Sequence, residues 1–500
     1  MSAATALPRM QGSPDSDLVS QLAKDRVVDG LTVFSSVWAC ASIFSLVDNP
    51  SALLLREGWA LFAILWVCII AALALLTRPR DMRILGFLAA ALAVRYVYLL
   101  PVASNNKTIA AFMNFAIVVV LLELWINHKR AENPRETAYE RMRVVARGLL
   151  AVMYFFGIFH KINTDFFDPR VSCAVALYEP LARGFGLSDN IYGRYLAIWA
   201  TFIIETITLV ALYWRRYFAI GLFVGLIFHF IIPLSGYSWY MDFSSLVLAL
   251  YILSIPSAVS TRAFVITADV LSALRAKLGL PVRMEAYGKP AALAILICAA
   301  TVMVVALGVA NENSKLEHLY RSVWMLMWTI YGGIAMIVLV YVAADHLPYK
   351  GAIANRQSLW IYCFPALLFI MSLSPYAGLK TESSIAMFSN LHTEGGQSNH
   401  LLFRTPPYLF GYQQDIVDIV DSSNPGIRKL AATNQAMVLF QVKEFLRKHP
   451  DDWISYRRGS EVFAHQSASA FSPQEHASLI ERKLLLFKPV DYARPKACTH

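Results

Sequence analysis

Long apolar runs, separated by short and mostly basic polar stretches, make up the first three quarters of this chain. A helix needs roughly 20 apolar residues to cross a bilayer. Runs of that kind stand near residues 30–47, 58–76, 82–102, 108–126, 147–163, 192–213, 216–235, 242–256, 290–311, 322–344 and 358–376. The pattern predicts an all-α polytopic membrane bundle of about eleven transmembrane helices. It changes in kind near residue 377. Charges become mixed, and turn signals appear at Pro406-Pro407, Asn424-Pro425-Gly426 and His449-Pro450. Met437, Leu439, Phe440, Phe445 and Leu446 predict a helix over 431–448, while 401–403 and 483–487 read as strands. The expected organisation is a cytoplasmic tail (1–27), a membrane domain (28–376) and a small C-terminal α+β extracytoplasmic domain (377–500).

Composition supports the membrane reading. Mean hydropathy is +0.50. Hydrophobic residues make up 57% of the 500 and charged ones 16%, where soluble chains carry about 25% charge. The net charge of +10 does not point to nucleic acid, because no basic groove interleaved with aromatics is present. Instead the basic residues fill every second loop: Arg78, Arg80 and Arg83; Lys129 to Arg147; Arg215 and Arg216; Arg262 to Lys289; Lys350 and Arg356. The positive-inside rule then puts the N-terminus in the cytoplasm and the C-terminal domain outside, in a cell (inner) membrane. Residues 1–27 do not read as a secretory signal.

Six cysteines are scattered without a CxxC pair, so neither a metal site nor a thioredoxin-type site is expected. Cys173 and Cys498 both fall on the expected outer face, where a disulfide could join them. No HExxH, Walker loop, GxSxG or GxGxxG is present.

Candidate chemistry lies in the ionisable residues inside apolar runs: Arg95, Glu123, Lys161 beside His160, Glu205 and His229. Such residues are costly in a bilayer unless they are buried with partners or reach water. Lys161 is the prime candidate, since an apolar site favours the free amine that a lysine base needs. The bland alternative is a lysine snorkelling to the headgroups. His160 points about 100° away from Lys161 on a helix, and it reads equally as a core histidine. Tyr154 and Gly157 share the Lys161 face. Glu205 could be a structural partner of Arg95 or His229, and Glu123 lies near a cytoplasmic end. Arg95, Lys161, His229 and Glu205 could line one cavity open to the outer face. The segment 385–400 is rich in hydrogen-bonding groups, Asn399 and His400 among them, and reads either as an ordered turn or as a cover over that cavity.

The stretch His160-Lys161-Ile162-Asn163-Thr164-Asp165-Phe166 ends a Tyr-Phe-rich helix, and a glutamate helix (Glu205) and a Phe228-His229 helix follow it. This order resembles the HTTM family, the membrane domain shared with vitamin K-dependent γ-glutamyl carboxylase, over residues 28–256. The resemblance implies a lyase in which the lysine at position 161 deprotonates a hydroquinone. Oxygenation then generates a strong base, and a glutamate γ-carbanion takes up carbon dioxide. It further implies a quinone-type cofactor, no metal, and an extracytoplasmic protein substrate. His160 stands where the carboxylase has a second lysine, Phe166 stands for a tryptophan, and the tail is shorter, which weakens any role for a substrate propeptide. Under this reading Lys161 and His160 are catalytic, and Arg95, Tyr154, Glu205, His229, Asn399 and His400 bind the substrate. Two other readings stay open: a non-enzymatic membrane protein that binds a lipid or protein partner, and a transporter. The chain shows no matched broken helices or inverted repeat of the transporter kind.

Overall fold

The computed structural model describes residues 28–127, 132–235, 239–277, 314–345, 357–472, 477–491 and 495–498. Its membrane part is helical: α1 Gly30–Leu46, α2 Trp59–Thr77, α3 Met82–Leu99, α4 Asn105–Ile126, α5 Pro134–Phe159, α6 Cys173–Gly184, α7 Ile191–Tyr213, α8 Phe218–Ile231, α9 Met241–Ser254, α10 Ser257–Lys277, α11 Ser314–Asp345 and α12 Cys363–Ser372. Among the described residues, seven helical segments are long and apolar enough to cross a membrane, and three apolar helices are shorter. The sequence pattern had predicted about eleven; its stretch 290–311, like the tail 1–27, lies outside the described residues.

The interior is apolar, as in a soluble protein, but so is much of the surface. Trp59, Ile70, Phe87, Trp125, Leu326 and Ile337 all lie on the outside of the bundle and are exposed. A belt of this size needs an apolar surrounding, as a bilayer provides. Every residue of α9 is buried, which makes it the central post. It packs against α1 and α5, while α2, α3 and α4 pack in sequence and α7 packs against α8 and α6.

Local signals set the helix ends. Asn133 caps α5, with Pro134 in its first turn, so the helix begins well before the expected 147 and carries the basic segment Arg135–Arg147 as helix. The helix α6 was not expected. It is short, and Ala174, Leu177, Tyr178 and Leu181 put one stripe toward α7. The last expected span, 358–376, is broken: a 3-10 turn (Leu359–Tyr362) precedes α12, and a short turn (Ser374–Ala377) follows it.

The C-terminal region carries a four-stranded antiparallel sheet in the order β2-β1-β3-β4, with β1 Ile416–Ser422, β2 Ala436–Val438, β3 Ile454–Arg458 and β4 Glu461–Gln466. The expected helix over 431–448 is two helices, α13 Pro425–Ala432 and α14 Leu439–Lys448, split by β2. Asn434 at φ 54° ends the first, because a left-handed residue cannot continue a helix. The stretches 401–403 and 483–487, expected as strands, are not strands. The first is held beside the end of α5, where Leu401 N donates to Ile162 O and Phe403 N to the ring of His400, and the second closes a short helix, Leu479–Leu484. The boundary expected at 377 is not a boundary of packing. Ile385 is fully buried in the membrane-domain core, and the sheet has its own core around Val417, Val442, Leu446 and Tyr456.

Candidate functional site

The site begins where α5 ends. Asn163 folds the following turn: its Oδ1 accepts from Asp165 N (3.1 Å) and Phe166 N (2.8 Å), and its Nδ2 donates to His160 O (2.7 Å) and Ser389 O (2.5 Å). Backbone bonds from Thr164 N to Asn399 O (3.1 Å) and from Leu401 N to Ile162 O (2.9 Å) zip this turn to the 385–403 segment. His400 accepts at Nδ1 from Leu402 N and Phe403 N (both 3.2 Å), so its Nε2 carries the proton and donates to Phe159 O (2.9 Å). The result is a fixed platform for Lys161.

Lys161 points inward. Its Nζ lies 2.6 Å from both Glu205 oxygens, and the two side chains are only 4% and 10% exposed. The ammonium also sits 5.9 Å from the centre of the Phe166 ring. The snorkelling alternative is therefore overturned, and Glu205 is the partner of Lys161 rather than of Arg95 or His229. The pair lines a cavity of about 390 Å³ walled by α5, α6, α7 and α8 and by Met387 and Phe388. Most of the lining is apolar. Tyr154, Tyr178, Thr201, His229 and Ser235 supply the other polar groups. Phe223 and Ile231 line the cavity and also face outward, at 45% and 41% exposure. The cavity thus meets the lipid-facing side of α8.

His229 and Tyr154 are joined. The His229 Nε2 lies 2.8 Å from the Tyr154 hydroxyl, which lies 2.5 Å from the Tyr251 hydroxyl. All three side chains are buried. A Cβ built at Gly225 would collide with the Tyr251 hydroxyl, so this glycine makes room for the chain of hydroxyls.

Four of the expected site residues, and Glu123, lie elsewhere. Arg95, on α3, donates to Ser45 O (3.3 Å) and lies 3.9 Å from Asp48. It lines a separate small cavity with Asn114 and Asp242, because α3 packs on α2 and α4, away from α7 and α8. The single cavity expected for all four groups is therefore corrected to one that excludes Arg95. Asn399 and His400 do not line it either; they hold the turn that carries Lys161. His160 is placed with its Nδ1 3.2 Å from Ile385 O and its ring packed on Phe156 and Tyr376, outside the cavity lining. Glu123 pairs with Arg141.

A second, polar chamber of about 410 Å³ lies beside the first, and the two share Phe243, Met387 and Phe388. Its charges include Asp48, Lys107, Asp242, Glu382 and Lys488. The C-terminal strap closes it. Cys173 and Cys498 form a disulfide, Lys496 N donates to Asp165 Oδ2 (2.8 Å), and Asn390 Nδ2 donates to Lys496 O (2.7 Å). Nearby, burial pushes the Lys380 amine down to about 8. Burial works to raise the Glu394 carboxyl, but Lys496 and His392 outweigh it and hold the group below its ordinary range.

Sequence reasoning missed Tyr251, Met387 and Phe388. Tyr251 left a signal, a lone hydroxyl in an apolar run. The other two lie in the 385–400 segment expected as a possible cover, but nothing local singled out these two side chains, because their place depends on a fold-back from more than 200 residues away. Among the described residues, no group of three or more His, Cys, Asp or Glu is arranged to hold a metal ion. No protein-family model, no curated protein sequence and no solved structure matches this chain.

Proposed function

We propose that the protein is an integral membrane enzyme of the carboxylase type, with Lys161 as base toward a lipid-soluble quinol or a related acidic hydroxyl. The observation that carries this reading is the Lys161–Glu205 pair inside an apolar cavity that meets the lipid-facing side of α8. A volume of about 390 Å³ is in the range of small-ligand sites, roughly 300–1,000 Å³. A few fixed polar groups in apolar walls suit a ring compound that carries oxygens. When bound, a hydroquinone supplies a weakly acidic hydroxyl and the reducing electrons.

The protein's own part is proton management. As an ammonium, Lys161 cannot act as a base. Glu205 lies at hydrogen-bond distance from it at both oxygens, so one proton can pass to Glu205 and leave an amine beside a neutral carboxyl. Exclusion of water by a ligand favours that neutral form. The amine then takes the ligand's hydroxyl proton, and the regenerated ammonium faces the new oxyanion. Tyr154 and His229 form the adjacent wall. The fixed turn at Asn163 and His400 keeps Lys161 in place. In this reading the N-terminus is cytoplasmic, and the 385–403 segment and the sheet domain lie outside, on the side where a protein substrate would arrive.

The Lys161–Glu205 bond also supports a non-enzymatic reading, because a satisfied ion pair is a structural strut in its own right. One experiment separates the two. The protein is purified in mild detergent, co-purified lipids and quinones are identified by mass spectrometry, and the recovered species is then supplied in reduced form. Recovery of a quinone with turnover that is lost in Glu205→Gln/Lys161→Met supports the enzyme. Recovery of bulk phospholipid alone overturns it.

A further inference from the structure

We infer that the C-terminal region rests on the membrane itself, through an apolar seat made by the short helix Leu479–Leu484 and the loop 402–410, and that phospholipid of the adjoining leaflet occupies this seat. The inference does not depend on the role given to Lys161.

One lysine orients the helix. Lys483 Nζ donates to Val97 O (3.2 Å), Tyr98 O (3.0 Å) and Leu100 O (3.1 Å), at and just past the C-terminal end of α3. The last carbonyls of a helix lack intrahelical donors, so a cation is favoured there. The helix α3 has 18 residues and is about 27 Å long at roughly 1.5 Å per residue, close to the hydrocarbon thickness of a bilayer. Its end therefore lies at the level of the headgroups. At about 100° per residue, Leu479, Ile480, Lys483 and Leu484 share an arc of about 140°. The side of the short helix that reaches for α3 is thus its apolar side. Leu479, Ile480 and Leu484 are all exposed. Glu481 points away from that side and accepts from the Tyr412 hydroxyl (2.5 Å).

Through Tyr412 the helix is joined to a second apolar stretch. Leu402, Phe403, Leu409 and Phe410 are exposed, and they are tied to the same end of the bundle. The Phe403 ring lies 5.8 Å from that of Phe159, the last residue of α5. Phe410 N donates to Ala377 O (2.9 Å), just past α12. An apolar surface of this extent marks a binding face. Its flanks select the occupant. Val97 and Tyr98 are exposed at the end of α3, and Leu367 and Ile370 are exposed on α12, so the seat continues the outward-facing belt of the bundle. Arg404, exposed beside Phe403, adds a guanidinium where lipid phosphates lie. An apolar face bordered by cations settles at the boundary between headgroups and acyl chains. Leu486 and Lys488, which follow the helix, and Val102, which follows α3, line the polar chamber, so the seat also fixes one wall of that chamber.

Photocrosslinking of the full-length protein in nanodiscs of phosphatidylcholine and phosphatidylglycerol tests this. p-Benzoylphenylalanine is placed singly at Leu409, at Ile480, or at Val462, an exposed apolar residue of β4 outside the seat. Adducts are identified by mass spectrometry, and the Cys173–Cys498 disulfide, read in the same digests, reports that each variant is folded. Phospholipid adducts are expected at 409 and 480, and none at 462. Equal lipid capture at all three overturns the seat, because exposure alone then decides. A crosslinked dimer of the chain, or no lipid adduct at either 409 or 480, overturns the choice of lipid. Lys483→Met gives a second readout. The probe at 480 should lose its adduct, while the probe at 409, tied to α12, should keep it. An undiminished adduct at 480 in Lys483→Met overturns the part given to Lys483 in aiming the helix.

Discussion

Two lysine–carboxylate pairs in this molecule have the same length and opposite surroundings. Lys161–Glu205 and Lys107–Asp48 both close to 2.6 Å. The first stands among aromatic and aliphatic side chains with 4% and 10% exposure. The second is 20% and 13% exposed and shares its chamber with Asn106, Asp242 and Glu382. Distance alone would rank them equal. The difference lies in what else can answer the charge. In the polar chamber, neighbouring polar groups and solvent share the stabilisation of both ions, so the pair's own contribution is modest. In the apolar cavity each ion has little besides its partner. Breaking that pair by removing one partner is therefore costly.

The sharpest way to break the comparison is to remove one ion from each pair. Lys161→Met should leave Glu205 uncompensated and cost about 3–5 kcal/mol, seen as a large fall in thermal stability in detergent. The double variant Lys161→Met/Glu205→Leu should recover most of the loss. A single variant as stable as wild type would show that the cavity is wet and the contrast false. Next in size is the strap that closes the polar chamber. Cys173→Ser opens a disulfide spanning 325 residues of sequence and should cost about 2–5 kcal/mol. Proteolysis should then reach the 385–403 segment, and reduction of wild type with dithiothreitol should reproduce the effect.

A third test uses pH. Folding lowers Lys380 from its ordinary value of 10.5 to about 8, so between these values the unfolded chain binds more protons than the folded one. Stability should therefore rise with pH from about 8 to about 10.5, by up to about 3 kcal/mol, and the rise should be absent in Lys380→Met. A flat unfolding profile over that window in wild type would remove the assignment. The smallest effect is expected from Lys107→Met, which should cost about 1 kcal/mol and shrink in high salt. A loss as large as that of Lys161→Met would erase the distinction between the two pairs.

The pattern of apolar runs determined most of the membrane domain by itself. A backbone in lipid must satisfy its own hydrogen bonds, so a long apolar stretch has few conformations open to it. The same rule made Lys161, Glu205 and His229 visible, because ionisable residues are costly at that depth and stand out. Local sequence could not say that Glu205, rather than Arg95, meets Lys161. That depends on α7 packing against α5 while α3 packs between α2 and α4. In the C-terminal region the period of the sequence misled: the apolar spacing over 431–448 suits one helix, yet Asn434 adopts a left-handed turn and 436–438 joins the sheet, because pairing with β1 stabilises the strand. The sequence left open whether Cys173 and Cys498 pair and whether 385–400 covers the cavity; the tertiary fold decided both, and it alone set Tyr251 behind Tyr154. Each is a contact between distant segments, whose cost in chain entropy is met by packing that no local stretch encodes.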